Sequence, residues 1–130
     1  YKLLDLAKVK RITLSDTSLI TDLAFAYYSC PLLEIQNTDY SSVTTCTRAW
    51  FKCRPPFFPL LDMPNCTSFS YAWYDSRLDD ISYENVLHML DNTGRTNLAT
   101  VVGRDGAYPV TAQAQIYYDS LIAKGWNMNG

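Results

Sequence analysis

Val43-Thr44-Thr45-Cys46-Thr47-Arg48-Ala49-Trp50-Phe51-Lys52-Cys53 and Cys66-Thr67-Ser68-Phe69-Ser70-Tyr71-Ala72-Trp73-Tyr74-Asp75-Ser76 are the stretches that decide how this chain is read. Laid over one another at an interval of 23 residues, they place Thr44 with Thr67, Cys46 with Phe69, Ala49 with Ala72, Trp50 with Trp73 and Phe51 with Tyr74. The same interval backwards brings in Ile20, Thr21, Leu23, Ala26, Tyr27, Tyr28 and Cys30. Agreement over so many columns is the mark of a repeated structural unit, which cannot bury its own apolar side and must stack on its neighbours. The register continues through Ile35, Phe58 and Ile81 and through Asp39 and Asp62, and Ile12, Leu14 and Asp16 supply a partial unit ahead of the first full one.

Each unit changes period partway. Positions 20, 23, 27 and 30 fall on one face of a helical or tightly turned segment, and the small Ala26, Ala49 and Ala72 allow close approach. Ile12-Thr13-Leu14, Ile35-Gln36-Asn37 and Phe58-Pro59-Leu60 then alternate, which predicts short strands pairing in parallel from unit to unit. Turns at Asp16, Asp39 and Asp62 end those strands. Pro59, without an N–H, is the weak point of that ladder. Beyond the units, Ser82 is the expected N-cap of a helix over Tyr83 to Leu90 that stops at Asn92-Thr93-Gly94, and Leu98 to Val102 is the expected last strand. Gly103 to Pro109 reads as a loop, and Thr111 caps a final helix through Ala123 with Gly125 as its terminator. Ile116, Leu121 and Ile122 are expected to cover the open end of the stack, with Gln113, Gln115, Asp119 and Lys124 facing water.

The segments Thr44 to Cys53 and Phe57 to Trp73 resemble the BspA-like leucine-rich repeats, found in bacterial surface proteins and bacteriophage virion proteins. Asn92-Thr93-Gly94-Arg95-Thr96-Asn97-Leu98, Thr111 to Ala114 and Leu121 to Trp126 resemble that family's closing segment. Asn37 and Thr38 depart from the apolar pair that Leu60 and Leu61 keep, and Arg77 with Asp79 and Asp80 breaks the consensus. Columns and resemblance together predict an α/β fold: a short right-handed leucine-rich-repeat-like solenoid with parallel strands on one face. It would have about three 23-residue units and a helical C-terminal cap. Residues 1–19 would be the partial N-terminal unit, 20–81 the repeats and 82–130 the cap of one domain.

With 130 residues, a formal charge of −2 and 18% charged side chains, the chain has room for one core and no cationic field for nucleic acid or an anionic membrane. Ten Tyr and three Trp suit broad contact surfaces. No apolar run is long enough to cross a bilayer, and the first residues lack the pattern of a signal peptide. A start at Tyr1 rather than Met points to a processed product or a segment of a longer polypeptide.

The candidate chemistry is thin. Cys46 and Cys66 stand in columns of core hydrophobes, and Cys30 and Cys53 share a column, where stacking leaves either buried thiols or a disulfide open. No Cys-x-x-Cys spacing or second histidine supports zinc, and His88, the sole histidine, has no cysteine aimed at it. Asp79, Asp80 and Glu84 suit a helix start better than a calcium site. Asn65-Cys66-Thr67 matches a glycosylation sequon, but its Thr is explained by the repeat. Neither catalytic residues, metal nor cofactor is expected.

Residues between the inward strand positions define the expected binding face: Arg11, Thr13, Glu34, Gln36, Thr38, Phe57, Pro59, Leu61 and Thr100. Leu3, Leu4, Leu6 and Val9 have no preceding unit to pack on and form the expected N-terminal docking edge. The resemblance implies a non-enzymatic interaction or structural module of a bacteriophage virion, such as a tail, fibre or decoration component. Its partner would be a protein, a neighbouring subunit or a host surface receptor. A bacterial cell-surface adhesin is the second reading, and an enzyme such as a hydrolase ranks behind both.

Overall fold

The structure is a computed structural model that describes residues 17–30, 34–35 and 39–130. Its regular elements are a strand β1 (Phe69–Leu78), a helix α1 (Asp80–Asn92), a strand β2 (Thr100–Arg104) and a helix α2 (Ala112–Ala123). β1 and β2 pair in parallel, with Phe69 opposite Thr100, Trp73 opposite Val102 and Leu78 opposite Arg104. The α/β class stands. The three-unit leucine-rich-repeat-like solenoid with a strand ladder does not, because the two helices and one two-stranded sheet of the described residues are too few elements to build it.

The reason lies in who takes the backbone hydrogen bonds. Phe58-Pro59-Leu60 forms no strand: the Phe58 N–H donates to Ser82 Oγ at 2.8 Å and the Phe58 carbonyl accepts from Asn85 Nδ2 at 3.0 Å. Side chains of α1 thus occupy the groups that a strand partner would need, and Pro59 offers no donor. Of the other expected strands, residues 12–14 and 36–37 lie outside the described residues.

The segments expected to be helical or tightly turned carry the inter-unit bonds instead. Leu23, Phe25, Tyr27 and Ser29 donate their N–H groups to the carbonyls of Thr45, Thr47, Ala49 and Phe51 at 2.8–3.0 Å. Cys46, Arg48, Trp50 and Lys52 donate in the same way to Ser68, Ser70, Ala72 and Tyr74 at 2.7–2.9 Å. The intervening N–H groups turn back on their own segment: Ala26 to Leu23, Tyr28 to Phe25, Ala49 to Cys46 and Cys53 to Trp50. Asp22, Thr45 and Ser68 form successive parallel bridges at the 23-residue interval.

This alternation depends on left-handed residues at matched positions. Phe25, Arg48 and Tyr71 have φ of 58°, 53° and 52°, and Ser29, Lys52 and Asp75 have φ of 57°, 57° and 54°. Such values are uncommon for residues other than glycine. Here they break the pleat, so that Ala49 and Trp50, or Ala72 and Trp73, are adjacent and both buried.

The buried columns stack as the interval requires. Trp50 lies 5.4 Å from Trp73 with planes at 11°, and 6.2 Å from Tyr27 at 21°. Phe58 meets both indoles edge-on at 5.1 and 5.9 Å. Ring pairs of this kind add about 0.5–1.5 kcal/mol each beyond the area they bury. Two buried indole N–H groups, of Trp50 and Trp73, have no hydrogen-bond partner among the described residues. Each such orphan costs about 1–3 kcal/mol, a cost the aromatic packing must exceed.

The C-terminal part closes this stack with different residues from those expected. Asp79, not Ser82, caps α1, accepting from the Ser82 N–H, while Ser82 turns to Phe58. Thr111 caps α2 as expected, and Gly125, at φ +82°, lies beyond its end. Ile116 and Ile122, expected to cover the stack, are exposed; Leu121, Trp126 and Met128 are buried. Trp126 packs 5.9 Å from Phe69 and donates Nε1–H to the Arg95 carbonyl at 2.8 Å. No helix of the described residues is long and apolar enough to cross a membrane.

Gly103 is where β2 meets β1 most closely: a Cβ there would lie 2.9 Å from the Ser76 nitrogen and 3.0 Å from both the Asp75 nitrogen and the Trp73 oxygen. Gly103→Ala should therefore destabilise by about 1–3 kcal/mol in urea unfolding, because the clash is with backbone. A second expectation concerns the helix pair. Burial opposes ionisation of Asp91, but hydrogen bonds from Lys124 (2.7 Å) and Ser120 (2.6 Å) outweigh it and hold the carboxyl below its usual range. The stabilisation is present above the unfolded carboxylate pKa, about 3.9, and is lost as pH falls through the depressed folded value. Asp91→Asn should cost about 1 kcal/mol at pH 7, with the difference from the parent protein closing as acid protonates the Asp91 carboxyl.

Candidate functional site: an outward aromatic and cationic face

Next to the buried Tyr27, Trp50 and Trp73 run the outward positions Tyr28, Phe51 and Tyr74. Their rings form a second stack: Tyr28 on Phe51 at 4.8 Å and 3°, and Phe51 on Tyr74 at 4.8 Å and 20°. One backbone geometry sends position 27 inward and position 28 outward in each unit, so the two ladders share one register. Tyr74 remains 40% exposed.

Beside this ladder lie the left-handed residues Phe25, Arg48 and Tyr71. The Arg48 guanidinium carbon sits 5.8 Å from the Phe25 ring centroid, 5.4 Å from Tyr71 and 5.7 Å from Phe51. Lys52 Nζ approaches the Phe51 ring at 5.7 Å. Arg54 and Arg77 flank the end of the ladder and share the carboxylate of Asp75 at 3.0 and 3.5 Å. Burial works against ionisation of Asp75, but Arg54 and then Arg77 hold its carboxyl below the usual range. The result is a patch of rings and cations on a protein whose net charge is −2.

The geometry limits what this face can do. Both faces of the Phe51 ring are taken by Tyr28 and Tyr74, so the middle of the ladder presents ring edges, not an open ring face. A sugar needs an open face to stack on, whereas ring edges, a phenol and an oriented guanidinium suit the surface of another protein. Among the described residues, no acid, base and nucleophile converge on the patch.

The described residues of the expected binding face are divided between surface and interior. Glu34 and Phe57 are exposed, but Pro59, Leu61 and Thr100 are buried. Leu61 points into the core while Leu60 is exposed, and Thr100 donates its hydroxyl to the Phe69 carbonyl at 2.8 Å. Those three are core and sheet residues. Arg11, Thr13, Gln36 and Thr38, and the docking edge Leu3, Leu4, Leu6 and Val9, lie outside the described residues. The outward ladder was visible in the sequence as the Tyr28, Phe51 and Tyr74 column; which side of the segment it occupied was not.

The remaining candidates have structural explanations. His88 stacks on Tyr117 at 4.4 Å and 8°, joining α1 to α2. Asp79 caps α1, the Asp80 carboxylate accepts from the Ile81 N–H, and Glu84 accepts from the Thr111 hydroxyl at 2.6 Å. Asn65 donates to the Ser41 carbonyl at 2.7 Å. All four cysteines are buried thiols with no disulfide between them. Burial, then the nearby Cys53 and Cys30, push the Tyr27 phenol up to about 12. Among the described residues no three His, Cys, Asp or Glu side chains are grouped to hold a metal. Comparisons with protein-family models, curated proteins and solved structures give no match.

Replacing Arg48 by Met keeps the length of the side chain and removes its charge. The expected result is a loss of about 1 kcal/mol in thermal or urea unfolding, since the partly exposed cation contributes to three ring contacts.

Proposed function

We propose that this protein is a non-enzymatic interaction module that binds a protein partner through the face formed by Phe25, Tyr28, Arg48, Phe51, Tyr71 and Tyr74. The observation that carries this reading is the Arg48 guanidinium held among three aromatic rings at 5.4–5.8 Å. Arg and Tyr are the residue types that dominate binding energy at protein interfaces, and here they are fixed in place before any partner arrives. Pre-ordering reduces the entropy that association must overcome. Arg48, Lys52, Arg54 and Arg77 outnumber Asp75 around the ladder, so the partner surface that fits best carries carboxylates. A virion or cell-surface setting rests on the sequence resemblance alone, and the proposed binding face does not depend on it.

The test compares wild-type protein with the Arg48→Glu, Tyr74→Ser double variant, each immobilised and exposed to an extract of its native source. Ile116→Ser, at an exposed position of α2 outside the proposed face, is the control. A partner retained by wild type and control but weakened about 30-fold or more in the double variant supports this face. Its binding should also weaken as salt rises from low to high ionic strength. Equal retention by all three folded proteins removes the assignment.

A further inference from the structure

Residues 54–58 and 77–82 are tied together at both ends. At one end Arg54 Nη2 donates to the Asp75 carboxylate at 3.0 Å and Arg77 Nε lies 3.5 Å from the same group; at the other the Phe58 N–H donates to Ser82 Oγ at 2.8 Å. The two segments therefore form one surface with unlike ends. Arg54 and Arg77 stand at the first end, and Phe57 stands with Asp80 and Ile81 at the second, where α1 begins. Phe57 is 49% exposed and Ile81 46%, although Ile35 and Phe58, which share the Ile81 column, are buried. Asp79 is engaged as the cap of α1. The Asp80 carboxylate accepts only from the adjacent Ile81 N–H at 2.9 Å, and among the described residues no cation pairs with it.

We infer that this surface is the interface of a two-fold dimer and that its occupant is the same surface of a second copy of the chain. Charge decides the choice of occupant. A partner of uniform sign would meet either the arginines or Asp80 with like charge, which costs association free energy. A second copy turned by a two-fold axis sets Arg54 and Arg77 against the partner's acidic end, and the same contact forms again in reverse. That pairing also covers the exposed apolar groups. The partner's guanidiniums lie over the Phe57 ring, where a cation is attracted to the ring face, and the aliphatic stems of the arginines cover Ile81. An apolar patch rimmed by charges of both signs and limited to a few residues suits a reversible dimer. The surface lies outside the six residues of the proposed partner face, so either can stand without the other.

Purified protein is examined by analytical ultracentrifugation over a range of concentrations at low ionic strength. The expected result is a species of twice the 14.8 kDa chain mass that grows with concentration and recedes as salt is added. Arg77→Glu and Asp80→Arg should each raise the dimer dissociation constant about 30-fold or more, since like charges then face each other twice. Mixed in equal amounts, the two variants should dimerise with one another, because opposite charges meet at both contacts of the mixed pair. Ile116→Ser should dimerise as the wild type does. A wild-type chain that stays monomeric, charge variants that dimerise like wild type, or a mixture no more dimeric than its components each overturn the interface. A monomeric wild type that still retains a partner lost by the Arg48→Glu, Tyr74→Ser variant overturns the dimer and leaves the partner face standing. Should a charge variant fail to fold, Phe57→Ser decides: loss of the dimer supports the interface, and an unchanged dimer overturns it.

Discussion

The stacking of this protein depends on a division of labour among backbone N–H groups. Along residues 23–30 and 46–53 alternate amides bond to the next segment, while those of Ala26, Tyr28, Cys30, Ala49, Phe51 and Cys53 bond back to their own. Neither an α-helix nor a plain strand makes this division: the first turns all its donors inward, and the second sends them to neighbours on both sides. The left-handed residues at 25, 48 and 71 and at 29, 52 and 75 allow it by aiming successive peptide planes differently. Because the pattern recurs at one interval, side chains in corresponding positions must lie over one another. The inner ladder of Tyr27, Trp50 and Trp73 and the outer ladder of Tyr28, Phe51 and Tyr74 both follow from it.

That dependence explains what could be read in advance. The columns gave the partners of Trp50 and Phe51 correctly, since a fixed interval specifies which residue stacks on which. They could not say which half of the unit supplies the inter-unit hydrogen bonds. Alternation at Phe58-Pro59-Leu60 looked like a strand, but the outcome was decided by Ser82 and Asn85, some 24 to 27 residues away. Short apolar runs carry no record of a distant side chain that will claim their backbone. Leu61 is buried for the same reason: once the Phe58-Pro59-Leu60 strand is lost, the inside-outside parity that put Leu61 on the surface is lost with it, whereas Thr100 does lie in a strand, β2, and is buried there.

Local signals fared better where the determinants are local. Thr111 and Gly125 mark the ends of α2 because a cap needs only a hydroxyl and a glycine at the right offsets. At α1 the start shifted to Asp79, since both Asp79 and Ser82 are competent caps and Ser82 had a second claim on it from Phe58.

The near-parallel indoles of Trp50 and Trp73, with Tyr27 on the outer side of the pair, have an optical consequence. Chromophores this close share their excited states, so the three rings absorb as a coupled array whose circular dichroism depends on their mutual angle. A slip of one segment against the next would change that signal before any secondary structure was lost, giving the molecule a built-in spectroscopic gauge of its own alignment.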